Sequence, residues 1–423
     1  VTIFSDFERL LLMPPADEAK DGPVTRTVLS LFSGAGGLDY GFEAAGFKTC
    51  LAAELNPDCC ATLKANRDWP VHEGDLLDVE PKGLLRKYGI STRPDMLIGG
   101  PPCQPFSKAG FWANGEAARL KDPRAATLSA YLRFVEDLQP KAFLLENVAG
   151  MAFSGKDEGL TSFMRAIKRI NKKTGSNYRP EHAVLNAADY GVPQVRHRLF
   201  VVAHREGLQF KFPDPLLAEK DHRTAWDAIG GLPPPDDLAE LGAGGKWSDL
   251  LPSIPEGANY LFHTPRGEGE PLFGWRTRYW SFLLKLAKSR PAWTIQAQPG
   301  PATGPFHWEN RRLSMRELCR LQTFPDGIRI TGSVMSVHKQ LGNAVPSLLA
   351  EVLARNIRKQ FFGDNVTLKP KLMPASLGKA PAAKPKTPVP EKYLKNVGEV
   401  ADHPGPGKGP RAILRGKTTK KAA

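Results

Sequence analysis

The chain has 423 residues, with 58 Lys/Arg against 44 Asp/Glu for a net charge of +14, and 41% hydrophobic and 24% charged residues. That balance excludes a mostly disordered chain, and the length suits two or three domains of roughly 150 residues. No run of about 18 apolar residues occurs, which excludes a membrane-spanning helix. The five cysteines (Cys50, Cys59, Cys60, Cys103, Cys319) are too few and too irregular for a disulfide framework and form no C-x-x-C pair, so an intracellular, reduced chain is expected. The positive balance favours a polyanionic partner.

Residues 1–23 read as an N-terminal arm. Their apolar patch at 10–13 follows Asp6 and Glu8 and runs into Pro14 and Pro15 without a basic leader, which argues against a signal peptide. Residues 28–32 read as a buried strand that ends in the glycine turn Gly34-Ala35-Gly36-Gly37. Residues 52–55, 95–98 and 142–145 look like further strands, and Leu128, Tyr131, Leu132, Val135 and Leu138 recur at helical spacing between the last two. Strands alternating with helices imply an α/β fold, a parallel sheet covered on both faces, with ligands beyond the carboxyl ends of the strands.

From 205 to 291 the rhythm is lost among Pro and Gly (Pro233-Pro234-Pro235, Gly267, Gly269), as in a separate small domain or a long insertion. Helical patterns return at 311–324 and 346–361. Residues 364–423 carry 13 Lys/Arg against 4 Asp/Glu, nine prolines and one aromatic residue, Tyr393. From 363 onward the chain is therefore expected to be a disordered basic tail, either a solvated appendage or a non-specific phosphate-binding arm.

Four short stretches carry chemistry. The turn after the first strand suits a nucleoside-containing ligand, since glycine permits positive φ and close backbone approach. Glu54, at the next strand end, is placed to accept two ribose hydroxyls, and Asp75 to bond an adenine amine. A dinucleotide fingerprint needs a third glycine where the chain has Asp39, which favours S-adenosylmethionine. In Gly99-Gly100-Pro101-Pro102-Cys103-Gln104-Pro105-Phe106-Ser107 two glycines end a strand and two prolines stiffen the presentation of one thiol, a frame suited to a nucleophile. Glu146-Asn147-Val148 leaves the same sheet edge, where a buried acid serves as a proton donor. Arg196 and Arg198 in Gln194-Val195-Arg196-His197-Arg198 face one side of a strand and suit an anion or a carbonyl oxygen. The histidines lack ligand spacing, so no metal is expected.

Together with Arg311-Arg312-Leu313-Ser314, Gln322-Thr323-Phe324-Pro325 and Gln340-Leu341-Gly342-Asn343-Ala344-Val345-Pro346, these stretches closely resemble the DNA (cytosine-5)-methyltransferases of bacterial restriction–modification or orphan type, over roughly residues 26–360. The resemblance implies a Rossmann-like, S-adenosylmethionine-dependent catalytic domain at 24–204, completed by 335–362, and a smaller irregular target-recognition domain at 205–334. It implies that Cys103 attacks C6 of a flipped-out cytosine, that Glu146 protonates N3, and that Arg198 holds O2 with Arg196 in support. The C5 carbon then takes the methyl group. Phe32, Gly34, Gly36, Leu38, Glu54, Asp75, Pro101, Asn343 and Val345 match cofactor-pocket positions. Ser30 departs from the acid that many relatives carry there.

In the target-recognition region, Trp275, Arg276, Arg278, Tyr279 and Trp280, with Arg266 upstream, are expected to include base-edge or phosphate contacts, although 281–286 reads as helical. The implied partners are double-stranded DNA and a cognate restriction endonuclease, with the chain a monomer in a bacterial cytoplasm, on the nucleoid. The RNA-modifying branch typically carries a Cys-Phe-Thr tripeptide that this chain lacks, and a catalytically silent DNA-binding relative would have lost Cys103, Glu146 or Arg198.

Overall fold

The computed structural model describes residues 25–102, 126–152, 158–395 and 397. The arm at 1–23, Cys103 and the chain beyond 397 lie outside them. Seven strands form one sheet: β1 (Arg26–Leu31), β2 (Phe47–Glu54), β3 (Val71–Glu73), β4 (Met96–Gly99), β5 (Ala142–Val148), β6 (Glu181–Asn186) and β7 (His197–His204), in the order β3-β2-β1-β4-β5-β7-β6.

Apolar runs fill both faces, as in a sheet covered on both sides. Val28, Ile98, Leu144 and Phe200 pack on one face against Phe42 of α1 (Gly37–Ala44) and Leu353 of α9 (Ser347–Phe362). Leu29, Leu97, Phe143 and Leu199 pack on the other against Phe134 of α4 (Ala126–Leu138) and Phe163 of α5 (Glu158–Thr174). Helices α2 (Pro57–Asn66) and α3 (Pro81–Lys87) complete the first half.

The sheet is not wholly parallel. Strand β7 runs antiparallel to both β5 and β6, with Glu146 opposite Phe200 and Val148 opposite Arg198. A reversed strand brings its amino-terminal end to the edge where the parallel strands finish. Arg198, one residue into β7, therefore meets Glu146 near the end of β5.

Irregular structure dominates 205–310, which holds the short helix α6 (Ala225–Ile229), 3-10 turns and isolated bridges. The expected helix at 281–286 is absent. Phe282 and Lys285 instead bridge to Thr303 and Phe306, and all of 281–286 but Phe282 is buried. Leu250, Leu251, Ile254, Tyr260, Phe273 and Leu283 form a core of their own. The expected helix at 311–324 contracts to α7 (Met315–Leu321), started by a capping box in which Ser314 and Glu317 exchange bonds. Helix α8 (Val334–Asn343) follows. Helix α9 lies against α1 so closely that a Cβ at Gly41 would come within 2.4 Å of the Ser347 carbonyl oxygen.

The expectation of a disordered tail from 363 is corrected for residues 364–395. This segment is a strap whose bonding partners come from the globular part, which composition alone does not reveal. Asp364 pairs with Arg26 at 2.7 Å and Arg358 at 2.8 Å. The buried Glu351 carboxylate accepts the N–H groups of Lys371 and Leu372 at 2.7 and 2.9 Å. Asp227, on α6, accepts the Leu377 N–H at 2.8 Å. The strap then reaches the irregular domain, where Thr387 N–H donates to the Pro252 carbonyl at 3.1 Å. Tyr393, in the short helix α10 (Glu391–Leu394), is buried and stacks on Trp247 with ring centroids 5.2 Å apart.

Ending the chain after Gly363 removes every one of these contacts, whereas ending it after Val397 removes none. The shorter chain is expected to melt at least about 5 °C lower, the equivalent of losing a few kcal/mol in a domain of this size, and the longer one within about 1 °C of the full chain. Equal melting temperatures by differential scanning fluorimetry would contradict a packed strap.

Candidate active site

The first half of the site is the turn between β1 and α1. Phe32, Gly34 and Gly36 all have positive φ, of 55°, 56° and 85°. At Gly36 a Cβ would also meet the Leu63 and Tyr40 side chains at 2.9 and 3.0 Å, so glycine is required there on both counts. Glu54, at the end of β2, accepts from Gly34 N–H at 2.8 Å with one oxygen and from Leu55 and Asn56 N–H at 2.9 and 2.8 Å with the other. The carboxylate thus locks the glycine turn to the second strand. Asp75, exposed just past β3, accepts the Leu77 N–H at 2.9 Å.

The motif at 343–346 folds back onto this turn. A Cβ at Gly37 would meet the Val345 carbonyl oxygen at 2.3 Å, so Val345 rests directly on the first turn of α1, the turn that carries Leu38. Asn343 is exposed beside it. Sequence reading missed Leu55, whose side chain is 60% exposed next to Glu54. That leaves an open apolar side chain beside the Glu54 carboxylate, and its position directly after Glu54 was the available signal.

The second half is built on β4, β5 and β7. Glu146 is 8% exposed, and its Oε1 lies 3.0 Å from Nε of Arg198. Burial pushes the Glu146 carboxyl above its ordinary value, while the Arg198 and Arg196 guanidiniums pull it back down. Its other oxygen rests on Gly100, where a Cβ would come within 2.8 Å of Oε2. Asn147 donates from Nδ2 to the Pro101 carbonyl at 3.3 Å, which ties the Glu146 strand to the Gly-Gly-Pro-Pro segment leading to Cys103. The Gly100 and Asn147 contacts lay inside quoted motifs, but a string of letters does not say which residue touches which.

Arg196 and Arg198 diverge in use. Arg196 is wholly buried and donates to the carbonyls of Ile295 at 3.3 Å and Gly342 at 2.7 Å. Expected to support Arg198, it joins the start of β7 to Ile295 in the irregular region and to Gly342 in the last motif. Gln194 does similar work, accepting the Ile295 N–H at 3.1 Å and donating to Gln322 Oε1 at 3.0 Å. Three separate motifs thereby become one frame around the Glu146–Arg198 pair.

Arg266, Arg276 and Arg278 are exposed in the irregular domain. The Arg266 and Arg276 guanidiniums lie 4.8 and 5.6 Å from the Trp275 ring centroid, and Tyr260 Oη donates to the Arg278 carbonyl at 2.9 Å.

A family model described as the C-5 cytosine-specific DNA methylases matches residues 26–359. The chain belongs to that family. It is 37% identical over 371 residues to the Type II methyltransferase M.SacI of Streptomyces achromogenes, covering 79% of this chain and 93% of that protein. It is 33% identical over 347 residues to the Type II methyltransferase M1.HphI of Haemophilus parahaemolyticus, covering 79% and 87%. A solved DNA modification methyltransferase encoded within an Escherichia coli prophage shares the fold with a TM-score of 0.60 at 22% identity, covering 80% of this chain and all of that one.

The protein is a DNA (cytosine-5)-methyltransferase with a Rossmann-like fold, and its methyl donor is S-adenosylmethionine. The turn fits that donor. A Cβ at Gly34 would meet nothing within 4 Å, so the floor beside Glu54 is open, and no pyrophosphate cradle is needed. Among the described residues no helix is long and apolar enough to cross a membrane.

Gly100→Ala is expected to push the Glu146 carboxyl away from Arg198 and to lower methyl transfer at least about 10-fold, because a displaced proton donor forfeits most of its catalytic factor. The variant should also melt a few degrees lower, since the displaced carboxylate leaves buried charge uncompensated. Undiminished turnover of labelled S-adenosylmethionine on DNA would contradict the contact.

Proposed function

We propose that the chain methylates C5 of cytosine within one short double-stranded DNA sequence through a covalent adduct on a base turned out of the helix. The observation that carries this reading is the buried Glu146–Arg198 pair at the sheet edge that the Gly-Gly-Pro-Pro segment leaves toward Cys103. Cytosine C5 is a poor nucleophile until C6 is attacked, and C6 is inaccessible in a stacked duplex.

The Cys103 thiolate forms the S–C6 bond, and the C5=C6 electron pair moves into the ring toward N3. Glu146 delivers a proton to N3, so that negative charge does not build up, and its raised affinity for a proton suits that task. Arg198, held by Glu146, donates to O2. When bound, S-adenosylmethionine supplies an electrophilic methyl group. C5 takes that methyl group; a water molecule then removes the C5 proton, the Cys103 thiolate leaves C6, and N3 returns its proton to Glu146, which restores the aromatic ring.

Phe32, Gly34, Gly36, Leu38, Glu54, Asp75, Pro101, Asn343 and Val345 hold the methyl donor in this reading, and Leu55 joins them. Glu54 receives a ribose hydroxyl on the Oε2 lone pair that its three backbone bonds leave free, and Asp75 bonds the adenine amine. Exposed Arg266, Arg276 and Arg278 contact DNA, with the irregular domain as the target-recognition domain. The homologues' Type II names support a restriction–modification setting. There the chain acts as a cytoplasmic, nucleoid-associated monomer beside a cognate endonuclease.

The test combines two measurements. Cys103→Ala should lose transfer of the labelled methyl group entirely while retaining DNA affinity within about 3-fold, since chemistry and binding are separable. A duplex carrying 5-fluorocytosine at the target, whose C5–F bond cannot lose a proton, should trap the wild-type chain in a complex stable to denaturation. Turnover by Cys103→Ala, or the absence of a trapped complex, would overturn the adduct.

A further inference from the structure

Most described tryptophans are enclosed. Trp69 and Trp226 pack against the core between the domains, Trp247 lies in the core of the irregular domain, and Trp308 is buried. Trp275 is covered by two guanidiniums. Trp280 and Trp293 differ. They are 55% and 37% exposed, and their rings meet each other, edge to face, with centroids 5.6 Å apart.

The backbone under both rings is fixed. Ala292 exchanges bonds with the strand entering the site, accepting Val195 N–H at 2.8 Å and donating to the Pro193 carbonyl at 2.9 Å. On the other side of Trp293, Thr294 Oγ1 donates to the Val195 carbonyl at 2.8 Å. Asn259 Nδ2 donates to the Trp280 carbonyl at 2.7 Å, and Gln296 Nε2 to Ser281 Oγ at 2.8 Å, which clamps the two segments together. The ring pair therefore stands between the Arg196–Arg198 strand and the exposed Arg276 and Arg278.

We propose that Trp280 and Trp293 form an aromatic wedge that stacks on the DNA bases flanking the target cytosine and fills the space left when that base leaves the helix. The inference deepens the reading given under Proposed function and rests on it. The ring faces match a base in size and stack on any base without sequence preference, and inserted apolar side chains stabilise unstacked steps. The cationic flank selects a polyanion over an apolar protein partner. A rigid mount matters because a wedge that yields would not hold the gap open.

The test uses the full chain and a duplex bearing the sequence it methylates in cells, with the target cytosine paired to guanine or placed opposite an abasic site. For the double variant Trp280→Ala/Trp293→Ala, kcat/KM on the paired duplex should fall at least about 10-fold, in line with the loss of base stacking. On the abasic duplex, where the cytosine is already unpaired, it should return to within about 3-fold of wild type, with the KM for S-adenosylmethionine unchanged. Equal losses on both duplexes, or no loss on either, would overturn the wedge. A wild-type chain inactive on both would instead overturn the base-extrusion reading itself.

Discussion

A carboxylate taken out of water next to a guanidinium is stable only when both groups are held in register, because a slip leaves an uncompensated buried charge. The Glu146–Arg198 pair imposes that condition on everything around it. Its two members sit on neighbouring strands that run in opposite directions, and the 3.0 Å contact exists because β7 is the reversed strand of the sheet. Gly100 leaves room for one carboxylate oxygen, and Asn147 ties the same strand to Pro101. Arg196 and Gln194 anchor the start of β7 to Ile295, and Arg196 and Gln322 extend that anchor to the last motif. The Glu146–Arg198 half of the site is thus a consequence of strand order as much as of residue type.

The half built on the glycine turn follows a different logic. Positive-φ positions at Gly34 and Gly36 turn the chain sharply, and Glu54 fastens the turn through three backbone N–H groups. Val345 presses on Gly37, so the end of the catalytic domain closes over its beginning. The strap at 364–395 continues this closure. It runs from the Arg26–Asp364 pair past Glu351 and Asp227 to Tyr393 in the core of the irregular domain, holding the surface that carries Trp280 and Arg276 in a set relation to the sheet.

Much of this was legible in the amino-acid sequence, for physical reasons. Buried strands such as β1 and β4 are short apolar runs ended by glycine, and they stand within a residue or two of where periodicity puts them. The family motifs singled out Glu146 and Arg198, two side chains that the fold brings into contact. What periodicity does not carry is direction and partnership. Nothing in 197–204 says that the strand runs backward. Nothing in 281–286 distinguishes a helix from extended chain whose Phe282 and Lys285, three residues apart, bridge elsewhere. The strap failed for the same reason: a Pro- and Lys-rich segment has no core of its own, and its order comes from acceptors such as Glu351 and Asp227 far away in the chain.

The function proposed for this fold requires Glu146 and Arg198 to act at a cytosine in DNA. Its most direct test is base-resolution mapping of 5-methylcytosine in a methylation-free host that expresses either the chain or Glu146→Gln, a variant that keeps the shape but cannot deliver the proton. Methylation at one short sequence with the chain, and none with the variant at equal soluble protein, is the predicted result. An unmethylated genome in both, or equal methylation in both, would contradict it.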